Sequence, residues 1–186
     1  MGQNASKKHN YRTEGNPAPG ELLRVHGFLN TWSDELGIED FETPETTEQW
    51  LRSAALWEGV KALTQEEHLR ILEFRSLLRD CVIHSHHPER LNKWMSAVTF
   101  NIEFQEGGSA SLVPSGRGCD KVVGQLISII VDSMVVGTWP RFKCCALPSC
   151  GWAYYDSTRS RTKKWCSMRT CGSRHKAREY YKRKIR

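Results

Sequence analysis

Four cysteines near the end of the chain stand in two equally spaced pairs, Cys145-x4-Cys150 and Cys166-x4-Cys171. Thiolates paired at such short spacing clamp an ion from two sides, and the loop between the pairs folds back to bring the halves together. Four of them close a tetrahedral site with no position left for water. That suits Zn²⁺ in a structural rather than a catalytic role. A module this short buries too little core to fold alone. Metal binding supplies the deficit, about 10–16 kcal/mol in apparent terms for zinc-finger peptides. The competing reading is two disulfides. It needs an oxidising compartment, yet the first 20 residues are polar with no apolar leader core. Seven cysteines would also strand one thiol. Cys144 beside Cys145 leaves the register open on paper, and the symmetric spacing favours Cys145. Cys81 and Cys119 sit alone on apolar segments and read as small buried hydrophobes.

Charge follows the cysteines. Residues 141–186 hold 14 Lys/Arg against two acids, a net of +12, whereas the whole chain is +6, so residues 1–140 are −6. Folding does not need such asymmetry; it is the footprint of a surface that meets phosphates. Arg159, Arg161, Lys163 and Lys164 fill the loop between the cysteine pairs. Arg174, Lys176, Arg178 and Lys182 lead a basic tail. The tail has no proline and predicts a helix from about Ser173, with Arg174, Arg178 and Lys182 on one face and Ala177 and Tyr181 on another. Trp152, Tyr154, Tyr155 and Trp165 interleave with the ligands. Trp152 and Tyr154 alternate as on a strand and would cover one side of the metal.

The run from Arg141 to Arg183 resembles the CGNR zinc finger. It has the two C-x4-C pairs, the aromatic run Trp152 to Tyr155 ending in Asp156, and the basic loop. Trp165-Cys166-Ser167-Met168 and Cys171-Gly172-Ser173-Arg174 follow. Ser173 stands where the family has Asn; serine still suits a helix start, but it does not reproduce a base or phosphate contact made by the Asn amide. The resemblance implies a DNA-binding module with one structural Zn²⁺ held by Cys145, Cys150, Cys166 and Cys171.

The elements before residue 141 read as a separate, mainly helical domain, residues 19–140, preceded by a disordered polar tail, residues 1–18. From Glu21 the chain reads as a short strand, ELLRVHGFLNTW. Thr43-Pro44 opens a helix running to about Leu56. Thr64 and Glu67 form a capping box for a longer helix with an apolar stripe including Leu69, Leu72 and Leu77, ended by Pro88. A further helix carries Leu91, Trp94 and Val98. Phe100, Ile102 and Phe104 alternate with polar residues as on a half-buried strand, turned at Gly107-Gly108 into a hairpin. Val122–Val136 reads as a buried core helix, because a membrane span would place Asp132 in lipid. The fold class is thus α+β. This order, with Phe28-Leu29-Asn30-Thr31, resembles the ABATE domain, which precedes CGNR fingers and which the resemblance makes a stress-linked regulatory domain.

No phosphate loop, nucleophile elbow or metalloprotease helix is present, so an enzyme is not expected. His84, His86 and His87 read as polar residues at a helix end rather than as metal ligands. Asn30 and Arg75, polar among apolar residues, read first as a strand-end hydrogen bond and a surface or ion-paired guanidinium, with the lining of a ligand pocket as the alternative. The leading expectation is a cytoplasmic transcription regulator whose finger binds double-stranded DNA. Its N-terminal domain would receive a small-molecule or protein signal and could support a homodimer. An RNA-binding zinc protein, or a zinc module that clamps an acidic protein or the chain's own acidic domain, is the alternative. Replacing Cys166 is expected to unfold the finger and spare the N-terminal domain.

Overall fold

A computed structural model describes residues 17–84, 88–147 and 149–185. His86, His87, the side chain of His84 and residues 1–16 of the polar tail lie outside the described residues. Ala18 does not belong to a tail: it is buried, and its N–H donates to His26 Nδ1 at 3.2 Å.

The first element corrects the expected strand. Leu22–Leu29 is a helix, α1. Leu22, Val25, His26 and Leu29 recur at helical spacing and are all buried, while Leu23 is 47% exposed. That periodicity, rather than alternation, marks a helix face. A two-stranded hairpin follows, β1 (Trp32–Ser33) and β2 (Ile38–Glu39), spanned by a 3₁₀ turn over Asp34–Leu36. Gly37 takes the left-handed conformation, φ 58°, that closes this turn.

Helix α2 (Pro44–Ser53) has the expected start: Thr43 Oγ1 accepts from the Thr46 N–H, and Thr46 Oγ1 accepts from the Thr43 N–H. It stops at Ser53, short of Leu56, because Ala55 turns the chain at φ 53°. Helix α3 (Gln65–His84) opens on the Thr64/Glu67 capping box, with both reciprocal bonds made. Its buried face is Ile71, Phe74, Leu77 and Leu78, and Leu69 faces outward. Pro88 opens α4 (Pro88–Met95) as its first residue, a position that needs no N–H donor. Val98 lies beyond the helix and is buried on its own account.

Strands β3 (Phe100–Phe104) and β4 (Ala110–Pro114) form the expected hairpin, with Ile102 opposite Leu112. The expected burial does not extend along it: Ile102 is 63% and Phe104 83% exposed. Helix α5 (Gly118–Val135) grips the β4 side instead. Ser128 Oγ donates to the Leu112 carbonyl at 2.8 Å, and Gly124 packs directly on Pro114. Val122, Val123, Leu126 and Ile130 face the core, while Met134 and Val135 face solvent, so α5 is amphipathic rather than buried throughout. No helix among the described residues is long and apolar enough to cross a membrane.

A turn at Trp139–Arg141 leads into β5 (Phe142–Cys144), which pairs antiparallel with β6 (Ala153–Tyr155). The chain ends in α6 (Ser173–Ile185), entered through a wide turn at Met168–Gly172. The fold is α+β, with six helices and three two-stranded hairpins among the described residues. One core takes Val25, Phe28, Leu29 and Phe41 with Leu51, Ile71, Phe74, Val122 and Leu126. The same core takes Phe142 and Ala153 from the β5–β6 hairpin. A smaller second core surrounds the cysteines.

Candidate metal centre and nucleic-acid interface

Strand alternation sends the two adjacent cysteines into different cores. Successive side chains on β5 point to opposite sides. Phe142 and Cys144 face the main core, and Cys145 falls in the second core with Leu147, Cys150, Trp152 and Cys171. Burial pushes the Cys144 thiol up to about 12, and it stays a neutral packing residue. The sulfurs of Cys145, Cys150, Cys166 and Cys171 all lie within 4.8 Å of one another. Cys166 and Cys171 are 3.6 Å apart, and Cys150 and Cys166 3.8 Å. Zn–S bonds of about 2.3 Å in a tetrahedron place sulfurs about 3.8 Å apart. The donor set therefore fits one Zn²⁺ and is too wide for disulfides. Hydrogen bonds from the neighbouring thiols of Cys145 and Cys166 pull Cys150 down, whereas the same crowding pushes Cys166 up. Cys145 is raised as well, so the crowding favours one thiolate among protonated neighbours, and a bound cation would let the other sulfurs ionise.

Local bonds position each ligand. The Cys145 N–H donates to the Trp152 carbonyl at 2.9 Å and the Cys150 N–H to the Leu147 carbonyl at 2.8 Å, closing the first pair into a tight knuckle. In the second pair, Ser167 caps the turn that carries Cys171, accepting from the Thr170 N–H. Ser173 is not the cap. It is already helical, and its hydroxyl donates to the Met168 carbonyl at 3.1 Å.

The basic loop is organised from beneath by Asp156, which is fully buried. It accepts from Lys143 Nζ at 2.7 Å, from the Thr158 N–H and hydroxyl, and from the Lys163 N–H at 3.0 Å. Burial works against its ionisation, but these donors outweigh it and hold the carboxyl well below the usual carboxylate range. Lys143 also donates to the Arg161 carbonyl at 2.6 Å, at a point where Arg161 adopts a left-handed φ of 54°. Arg159, Arg161 and Lys164 are exposed on the loop so formed. Lys163 is half-buried, its ammonium 5.0 Å from the centre of the Tyr154 ring. Of the interleaved aromatics, Trp152 lies in the cysteine core with Trp165 packed against it, Tyr154 is buried with its hydroxyl donating to the Lys163 carbonyl at 2.6 Å, and Tyr155 packs on the main core.

On α6, Lys176, Arg178 and Lys182 are exposed, with Lys182 paired to Glu179 at 3.0 Å. Arg174 reaches out of the finger and pairs with Glu35 on the 3₁₀ turn. Trp165 packs on His175, ring centres 5.3 Å apart, drawing the end of the basic loop against the first turn of α6. Ala177 and Tyr181, on the face free to pack on the zinc core or on a partner domain, are exposed, as is Tyr180.

The two pocket candidates are bound to different partners. Asn30 is fully buried, and both ends of its amide are taken by Ala153: Nδ2 donates to the carbonyl at 3.0 Å, and Oδ1 accepts from the N–H at 2.8 Å. It splices β6 onto α1. His26 does the same from one turn back; its Nδ1 accepts from Ala18, so Nε2 carries the proton donated to the Ala153 carbonyl at 2.9 Å. Arg75 is held by Glu39 through two bonds of 2.8 and 2.7 Å and donates to Thr31. With Trp32, Ser76, Arg79 and Asp80 it lines a cleft of about 340 Å³. Arg79, in sequence only one residue of the Arg-rich run Leu77-Leu78-Arg79, is a further wall of the cleft. It is 5% exposed, donates to the carbonyls of Leu29 and Trp32, and stacks 4.5 Å from the Trp32 ring. Its other terminal nitrogen abuts Gly151 in the zinc knuckle. Its signal was only a second arginine one turn after Arg75 on an apolar face.

Residues 141–184 match the family model of the CGNR zinc finger. No curated protein matches the chain.

Proposed function

We propose that the chain is a non-enzymatic regulator of transcription that binds double-stranded DNA through its zinc-held C-terminal module. Residues 19–140, read as an ABATE domain, receive the signal. The observation that carries this reading is α6. It has 13 residues, six of them Lys or Arg and one acidic, and spans about 20 Å. Its packing is chiefly against the turn that precedes it. An isolated helix of this length is marginal in water, and like charges around it make it more so. A partner with phosphates on either side of a groove supplies both the missing contacts and the counter-charge. The metal would fix the angle at which the helix leaves the finger, with Arg174 nearest the anchored end and Arg178 and Lys182 one and two turns on.

The burial of Trp152 and Tyr154 removes them as stacking platforms, and the exposed rings of the module, Tyr180 and Tyr181, stand among the basic residues of α6. The decisive experiment is fluorescence anisotropy of the whole, zinc-loaded protein with a random-sequence DNA duplex, its single strand and an RNA hairpin. Duplex preference is expected, with affinity falling steeply as salt rises. Arg178→Glu combined with Lys182→Glu should weaken binding at least about tenfold and flatten the log–log salt slope by about 0.9 for each phosphate no longer neutralised. Unchanged duplex binding in that variant would remove α6 from the interface. Preference for the RNA hairpin would move the protein to the RNA-binding class.

A further inference from the structure

We infer that the acidic turn of the β1–β2 hairpin is a built-in stand-in for phosphate, competing with nucleic acid for Arg174. The inference rests on the reading of α6 as the nucleic-acid interface and adds to it a regulator within the chain. Residues 33–42 carry Asp34, Glu35, Glu39, Asp40 and Glu42 and no basic residue. Of these, Glu35 meets the finger. Its carboxylate is 16% exposed and pairs with the Arg174 guanidinium, which is 51% exposed. A guanidinium binds carboxylate and phosphate through the same fork of donors, so the two are direct competitors.

The turn does not drift into this contact; it is held there. At one end Arg79 binds the Trp32 carbonyl at 3.0 Å and stacks on its ring. At the other, Arg75 grips both oxygens of Glu39. Between them Ile38 packs on the cysteine core. Glu35 is thereby presented to the first turn of α6 before any partner arrives, while Arg178 and Lys182, further along, face solvent. The arrangement engages the first basic residue of α6 and leaves the outer helix open to a first electrostatic encounter. Full engagement requires Arg174 to exchange Glu35 for phosphate. Because the clamps on the turn are also walls of the Arg75/Arg79 cleft, a change in that cleft would alter how firmly Glu35 is held.

The test measures duplex affinity of the zinc-loaded whole chain for wild type, Glu35→Gln, Arg174→Gln and the double variant. Asp34→Asn serves as a neighbouring charge control. Glu35→Gln should tighten binding about 2–10-fold at low salt, with the gain shrinking as salt rises. The gain should vanish when Arg174 is already Gln, since the pair acts as a unit, and Asp34→Asn should give a smaller gain. Weaker or equal binding by Glu35→Gln overturns the inference, as does the same gain in the Arg174→Gln background, which would mean a general charge effect. Should Glu35→Gln not fold, judged by zinc content and thermal unfolding, Glu35→Asp withdraws the carboxylate by one methylene and must also tighten binding. If no variant, wild type included, binds duplex, the reading of α6 falls and this inference with it. If wild type binds and Glu35→Gln is no tighter, only this inference falls.

Discussion

Asp156 and Asn30 show two ways in which a buried polar residue becomes indispensable. Asp156 is ionised in the interior because Lys143, Thr158 and the Lys163 N–H all donate to it. Asp156→Asn removes the charge and leaves Lys143 without its counter-ion. Breaking such a pair from one side costs about 3 kcal/mol, to be read from urea unfolding at pH 7 with zinc held in excess. The variant should also lose the order of the Arg159–Lys164 loop and bind duplex more weakly. Asn30 contributes no charge, only two bonds to Ala153. Asn30→Ala leaves the Ala153 N–H buried and unpaired, at a cost of about 2–3 kcal/mol. Hydrogen exchange at the Ala153 amide should quicken accordingly. Exchange there unchanged from wild type would mean that the splice between α1 and β6 is not held by this amide.

Helices meet in this molecule through small, specific features that a single substitution can probe. Gly124 lets α5 lie against β4: a Cβ there would come within 2.4 Å of Pro114 Cβ. Gly124→Ala should therefore push the hairpin off the helix and cost about 1–3 kcal/mol, although alanine is the better helix former. A net gain in thermal stability would refute that close approach. Helices α2 and α3 meet at His68, whose Nδ1 lies 2.9 Å from Thr47 Oγ1. Burial lowers the His68 pKa below its ordinary 6.5, so the folded state holds the neutral ring and the unfolded state binds the proton first. The stability this supplies is complete above about pH 6.5 and is lost as pH falls through the folded value. Unfolding free energies of wild type and His68→Gln should converge between pH 7.5 and 5.5; a constant gap would reject the assignment.

At the scale of the whole molecule, the zinc module and the helical part are spliced together. Phe142 and Ala153 sit in the main core, Ile38 sits in the cysteine core, and Arg79 touches both parts. Losing the metal should therefore loosen more than the finger. Cys166→Ser, or a strong chelator, is expected to lower the melting temperature of the whole chain in one transition, contrary to the sequence expectation that the N-terminal part would be spared. Calorimetry decides: two transitions, with the higher one unmoved, would show that the shared core does not couple the parts. The same splice explains why Glu35 can act on Arg174, since a carboxylate on a freely hinged domain would pair with it only in passing.

What the chain determined by itself was everything written in local spacing. The four ligands follow from two short cysteine repeats, the starts of α2 and α3 from Thr43 and Thr64 capping their own first turns, and the β3–β4 hairpin from alternation around Gly107-Gly108. Each of these depends on atoms a few residues apart, so the pattern is visible in one window. Tertiary structure alone decided the rest. The helical state of α1 is set by burial of Leu22, Val25 and Leu29 against other elements, and Leu23 reveals it only by facing outward. Ile102 and Phe104 stay exposed because α5 covers the other strand. Asn30 and Arg75 are consumed by Ala153 and Glu39, while Arg174 finds Glu35 across 139 positions of chain. Such pairings are chosen by packing, which brings distant residues together without leaving a mark on the sequence between them.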